Sequence, residues 1–261
     1  MTGPRDAALT GRVAVVTGAG QTPGAHIGNG RATALLFARR GARVLVVDRD
    51  GASAEETVAM ITDEGGTATP LEADVTRPAD WQAIVDAGRP DIVHHNVGVG
   101  VGDWARVMEI NSGSGVLLGE AVLPVMREAG GGVITFVSSI AAIAATTSRR
   151  GNTPLPYKMS KAAVNALTQT MALENARYGI RVNAIMPGLI DTPMGVDAAA
   201  EVRGIDRDDY AARRDAAVPL RGGMGSAWDV AHAAAFLASD EAAFITGVLL
   251  PVDGGQSARV G

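Results

Sequence analysis

Short β-branched runs alternate with longer alanine- and leucine-rich stretches along most of the chain. VAVVT (13–17), RVLVVD (43–48), ATPLEAD (68–74), DIVHHN (91–96), GVITFVSS (132–139), IRVNAIMP (180–187) and GVLLPVD (247–253) read as strands. Helical patterns fall between them at 30–40, 52–64, 78–87, 104–128, 157–178 and 226–238. The strand runs are apolar throughout rather than alternating, which marks strands buried on both faces. Strands separated by helices pair in parallel, and right-handed crossovers then wind the helices onto both sides. The pattern predicts a doubly wound, mostly seven-stranded parallel α/β sheet.

No repeat, low-complexity tract or linker interrupts this alternation, so 1–261 reads as one domain, with 1–11 as a flexible lead-in. The segment 191–224 differs. It is rich in Ala, Asp and Arg and follows the sixth strand, where loops line the ligand crevice of such sheets. It reads either as a substrate lid or as a pair of solvated helices held by Asp–Arg pairs.

Composition narrows the function. The residues are 47% hydrophobic and 20% charged, and the formal net charge is −5 with no run of like charges. Nucleic acid and anionic membranes are therefore not the expected partners. The longest apolar stretch, around Val133 to Ala145, is interrupted by Thr135, Ser138 and Ser139 and is too short to span a bilayer. A cytoplasmic protein is the expectation. With no cysteine, disulfides, thiolate metal sites and cysteine nucleophiles are excluded. His94 and His95 look like a metal pair, but adjacent strand residues point to opposite faces, so no metal site is expected. His232 reads as packing or surface, and Met159, Met171 and Met186 as core fillers.

Two constellations carry chemistry. VAVVTGAGQTPGAHIGNGRATALLFARRGARVLVVD reads as strand, glycine-rich loop, helix and strand. Glycines such as Gly18, Gly28 and Gly30 let backbone N–H groups approach a pyrophosphate at a helix N-terminus. Asp48 ends the second strand, where an acidic group accepts a hydrogen bond from an adenosine ribose and repels a 2′-phosphate. That favours NAD, while Arg49 next door keeps NADP possible. Farther along, Tyr157 and Lys161 stand four residues apart and share a helix face. An ammonium beside a phenol favours phenolate, and should pull the tyrosine pKa down from about 10.

The chain resembles the single-domain short-chain dehydrogenase/reductase family over nearly its whole length. Thr17-Gly18 and Gly28-Asn29-Gly30 match the family's glycine turn, with a longer spacer, AGQTPGAHI, between them and Asn29 where an aliphatic residue is usual. A second register, starting at Gly24, fits the glycine spacing but loses the Thr-Gly pair. HHNVG (94–98) stands in for N-N-A-G, with His95 and Val97 as departures and Asn96 and Gly98 retained. By the resemblance, Asp74 and Val75 meet the adenine ring, and Pro187, Gly188, Ile190 and Thr192 line the nicotinamide. The same resemblance assigns a Rossmann-type fold and four catalytic residues. Tyr157 exchanges a proton with the substrate oxygen, and Lys161 lowers its pKa and binds the nicotinamide ribose. Ser139 polarises the substrate oxygen, and Asn111 holds a water.

The implied activity is hydride transfer between NAD and a small secondary alcohol or ketone. An NADP-dependent carbonyl reductase of the 3-oxoacyl type is the alternative. A catalytically silent dinucleotide sensor is the reading from another class, and the presence of Tyr157 and Lys161 opposes it. A homo-oligomer, most often a tetramer through the long central helices, is implied as well. The exposed use of Ala162, Ala163 and Ala166 and their packing against the sheet are equally open. The spacer before Tyr157 is longer than the family's and the stretch from Gly98 to Asn111 shorter. Both flank the expected pocket, so the substrate stays open.

Overall fold

Seven segments pair in parallel because each is separated from the next by a helical crossover that brings the chain back to the same end of the sheet. A computed structural model describes residues 8–24, 26–144 and 155–259. The strands are β1 (Val13–Thr17), β2 (Arg43–Asp48), β3 (Thr67–Glu72), β4 (Ile92–His95), β5 (Gly132–Val137), β6 (Ile180–Pro187) and β9 (Leu249–Val252), in the order β3-β2-β1-β4-β5-β6-β9. A two-residue pair, β7 (Ile190–Asp191) and β8 (Gly225–Ser226), stands apart. The main sheet is the one the apolar runs predict, with β3 beginning one residue earlier and β3, β4, β5 and β9 shortened by one to three residues.

Helices α1 (Asn29–Arg39) and α9 (Ala227–Ala238) pack on one face, over Val16, Val44, Val46 and Ile185. On the other face α3 (Pro78–Gly88), α5 (Ser114–Ala129) and α6 (Leu155–Asn175) cover Val15, Leu45, Val93, Ile134 and Val182. Helix α2 (Gly51–Asp63) flanks β2 and β3 at the sheet edge. The chain order reverses at β1, which pairs with β2 on one side and β4 on the other, so the crevice opens at the carboxyl ends of β1 and β4.

Three expectations change. Residues 1–7 lie outside the described residues, but Leu9, expected in a flexible lead-in, is buried and its N–H donates to the Arg40 carbonyl at 2.9 Å. The helix expected over 104–128 is α4 (Trp104–Met108), a wider π-turn over Glu109–Gly113, and then α5. Met171 and Met186 fill the core, whereas Met159 is exposed. Segment 191–224 holds two helices, α7 (Ala198–Arg203) and α8 (Arg207–Asp215), and Arg207 pairs with Asp191, Asp197 and Asp208.

Candidate active site

The glycine turn folds in the first of the two registers. β1 ends at Thr17, and Gly18 turns the chain at φ +63°, a conformation that suits glycine. Gly28 is the N-cap of α1 with extended backbone, and Asn29 is the first helical residue. A Cβ on Gly30 would overlap the Gly18 carbonyl oxygen and sit 2.7 Å from Asn96 Nδ2. Asn96 in turn donates from Nδ2 to the Gly18 carbonyl at 3.1 Å, tying the end of β4 to the end of β1. Gly24 lies away from this turn, against Pro193.

The longer spacer is braced from within. Gln21 donates from Nε2 to the His26 carbonyl at 2.6 Å and accepts the Gly28 N–H at 2.9 Å. Its Gly20 N–H donates to Asp48 Oδ2 at 2.9 Å, and the Asp50 N–H to Asp48 Oδ1 at 3.1 Å. Asp48 is thus fixed at the end of β2, and a carboxylate keeps acceptor sites beyond those two. Arg49 is exposed. Asp74 accepts from the N–H and hydroxyl of Thr76, which hold its carboxyl below the usual range. Val75 is buried in the core, its carbonyl accepting from Trp81 Nε1.

The catalytic candidates converge at the carboxyl end of β5. Ser139 ends that strand region, and its Oγ accepts the Ala141 N–H at 3.1 Å. The Tyr157 hydroxyl lies near enough to Ser139 for the serine to favour the phenolate, so a serine and a tyrosine eighteen positions apart come together in space. Residues 145–154, which hold most of the lengthened spacer between them, lie outside the described residues. Lys161 is buried, with Nζ 5.9 Å from the Tyr157 ring centre, and donates to the Val137 carbonyl at 2.7 Å. A Cβ on Gly98 would come within 3.0 Å of that Nζ and 3.4 Å of Asn111 Oδ1, so glycine there leaves room for both.

Asn111 sits in the π-turn. Its Oδ1 accepts the Val99 N–H at 2.7 Å, and its Nδ2 donates to the Val99 carbonyl and Ser160 Oγ. Ser160 donates to the Tyr157 carbonyl at 2.8 Å, which closes a loop from the turn after β4 to the start of α6.

The electrostatics correct one expectation. Burial raises the Tyr157 pKa, and the Ser139 bond offsets this only in part. The expected fall is absent because burial outweighs what favours the phenolate; the Lys161 ammonium gives one hydrogen bond to the Val137 carbonyl. Desolvation lowers Lys161 to about 8. Both histidines are neutral, pushed down by burial to about 3. His94 meets Thr135 and Phe37; His95 bridges Thr17 and Ser114 on the opposite face. They form no pair, and among the described residues no cluster of His, Asp or Glu is placed to hold a metal. His232 is exposed.

Beyond Gly188, Gln256 Oε1 accepts the Leu189 N–H at 2.8 Å and would meet any Cβ on Gly188. Pro187 and Ile190 are buried, and Thr192 Oγ1 caps the following turn by accepting the Gly195 N–H. Sequence reasoning missed Ser53, which accepts the Gln21 N–H, and also Gln256, Val99 and Ser160. Their partners are tens of residues away or are backbone groups, so no spacing pattern marks them.

A glycine cradle at a topological switch point, an acidic group ending the second strand and a hydroxyl pair beside a buried lysine define a dinucleotide-dependent oxidoreductase. Comparison with known proteins places it further. A family model, adh_short_C2, described as enoyl-(acyl carrier protein) reductase, matches residues 24–257. The cis-4-hydroxycyclohexanecarboxylate dehydrogenase of Sinomonas cyclohexanicum is 36% identical over 96% of this chain and 98% of its own. A crystal structure from Burkholderia xenovorans assigned to the short-chain dehydrogenases/reductases superposes with a TM-score of 0.90 at 39% identity, covering 98% of this chain and all of that one. A 7α-hydroxysteroid dehydrogenase in complex with NADH and 7-oxoglycochenodeoxycholic acid gives 0.83 at 31% identity, with 98% of each chain covered. The chain belongs to the short-chain dehydrogenase/reductase family. It is an oxidoreductase that uses a nicotinamide cofactor to interconvert alcohols and ketones.

Proposed function

We propose that this enzyme prefers NAD and oxidises a small secondary alcohol, or reduces the corresponding ketone, with Asn111, Ser139, Tyr157 and Lys161 as its working residues. The observation that carries the reading is the Ser139–Tyr157 hydroxyl pair beside buried Lys161. The glycine cradle supports the cofactor's place. Gly18, Gly28, Asn29 and Gly30 would hold the pyrophosphate, and Asp48 the adenosine ribose. Asn96, Gly98, Pro187, Gly188, Ile190 and Thr192 would border the nicotinamide end.

The bound nicotinamide supplies or accepts the hydride. Tyr157 donates its proton to the substrate carbonyl oxygen on reduction and takes it from the hydroxyl on oxidation. Its raised pKa keeps it protonated at neutral pH in the free protein, which suits a donor. Ser139 supplies a second hydrogen bond to the same oxygen. Lys161 has protons on Nζ beyond the one given to Val137, and one of these would be available to a nicotinamide ribose. Asn111 acts first as a strut: three of its hydrogen-bonding positions are taken by Val99 and Ser160, leaving one Oδ1 lone pair for a water.

The apolar side chains of Ile143 and Leu155 stand exposed close in sequence to Ser139 and Tyr157, and suit a largely hydrocarbon substrate. The two relatives named for a hydroxycyclohexane acid and a steroid make alicyclic alcohols the first compounds to try. The test is steady-state kinetics on such a panel with both cofactors. A higher kcat/KM with NAD supports the reading, and a clear NADP preference overturns the role given to Asp48.

We also infer a homotetramer. Ala162 and Ala166 on α6 are exposed and so do not pack on the sheet. Ala163 and Ala166 line an apolar hollow of about 610 Å³ with Met108, Val116 and Leu167. Light scattering giving four chains supports this, and a monomer refutes it.

A further inference from the structure

The loop between β1 and α1 reaches from one side of the nucleotide groove to the other. At one end the Gly20 N–H donates to Asp48 and the Gln21 N–H to Ser53 Oγ at 2.6 Å. At the other, His26 Nε2 lies 3.5 Å from Asp191 Oδ2. Beside it, a Cβ on Gly24 would fall 2.6 Å from Pro193 Cβ and 3.1 Å from Asp197 Cγ, so the bare backbone rests on the turn after β7. The two ends therefore touch Asp48, assigned above to the adenosine ribose, and the neighbours of Thr192, assigned above to the nicotinamide.

What the far end meets is itself anchored. Arg207, on α8, reaches Asp191 at 3.0 Å, Asp197 at 3.4 Å and Asp208 at 3.3 Å. The two hydrogen bonds of the Gln21 amide tie the His26 carbonyl to the Gly28 N–H at the head of α1. Contacts at both margins of a groove enclose what lies between them, and such enclosures commonly set the rate of product release.

We propose that Gly24 and His26 are positioning residues that fasten this loop to the Asp191–Arg207 cluster, making it a strap over the bound dinucleotide. Release of the nucleotide then requires the fastening to open. The inference rests on the reading that this groove holds NAD(H) or NADP(H). His26 supplies the polar fastening and Gly24 the close approach, since any larger residue would push the loop off Pro193. Neither touches reacting atoms, so the hydride and proton steps are untouched.

The test measures dissociation of NADH, or of NADPH if that binds more tightly, by stopped-flow displacement from the full-length enzyme. Wild type is compared with His26→Ala, Gly24→Val and His26→Lys, and the melting temperature of each cofactor-free protein is recorded. An exposed polar contact of this kind, worth at most about 1 kcal/mol, predicts release about two- to fivefold faster in His26→Ala. Gly24→Val is faster too, and His26→Lys, which places a donor opposite Asp191, stays near wild type. The melting temperatures stay together, because a loop with purely structural importance would lower them without selecting the release rate. Unchanged release in both disrupting variants overturns the strap while leaving dinucleotide binding intact. Equal acceleration in all three variants also overturns it. A wild-type protein that binds neither nucleotide refutes the dinucleotide reading and the strap with it.

Discussion

Replacing Lys161 with methionine separates the energetic cost of this buried ammonium from its role in turnover. The side chain is 3% exposed and its pKa falls from 10.5 to about 8 through desolvation. That drop corresponds to roughly 3 kcal/mol of disfavour for the charged form in the folded state. Below about pH 8 both folded and unfolded chains carry the proton, so the full penalty weighs on the wild type. Between about 8 and 10.5 the unfolded chain binds the proton and the folded one does not, so wild-type stability rises with pH across that window.

Methionine fills similar volume without charge. It also loses the bond to the Val137 carbonyl, worth about 1–3 kcal/mol when the acceptor is left unmatched. At about pH 7 the two effects nearly cancel, and Lys161→Met lies between equal stability and about 2 kcal/mol above wild type. By about pH 10 the wild type has regained roughly 2–3 kcal/mol relative to the variant. Urea unfolding of both cofactor-free proteins at the two pH values measures this difference, and titrations common to both cancel. A stability gap that does not change with pH would refute the desolvated-ammonium account.

The cradle and the cofactor preference are checked by two further substitutions. Gly30→Ala places a Cβ into the Gly18 carbonyl and against Asn96, and overpacking of this kind costs about 1–3 kcal/mol. NADH titration followed by fluorescence should show binding weakened tenfold or more on the order of that cost, and unaltered affinity would show that the turn is not where the dinucleotide lies. Asp48→Ala removes a charged acceptor worth about 1.5–3 kcal/mol. Kinetics with both cofactors should show NAD use falling about ten- to a hundredfold, with NADP use holding or rising.

How much of this was written in the chain differs by element. The seven strands were legible because each is bounded by turn residues, and the central ones are apolar runs buried on both faces, while the edge strands β3 and β9 are only partly buried. The glycine register was legible in part: two alignments fitted the spacing, and only the contact between Gly30 and the Gly18 carbonyl decides for the one that keeps Thr17-Gly18. The positions of Ser139, Tyr157 and Lys161 followed from resemblance, but their electrostatics did not. A helix face says that a lysine is near a tyrosine; it does not say that the ammonium turns to the Val137 carbonyl. The burial of Leu9 and the exposure of Met159, Ala162 and Ala166 were hidden for the same reason, since residue type does not report which neighbours fill the space around it. The strap was invisible too: Gln21 meets Ser53 and His26 meets Asp191 across long stretches of sequence that no local pattern links.

The central claim is that Tyr157 moves the proton while the dinucleotide moves the hydride. Tyr157→Phe removes one oxygen and leaves the ring in place. Measured on the same alcohol with the same cofactor, its kcat should fall about 10²- to 10⁴-fold, the usual worth of a general acid/base, while NADH binds with near wild-type affinity. Turnover close to that of the wild type would contradict the account.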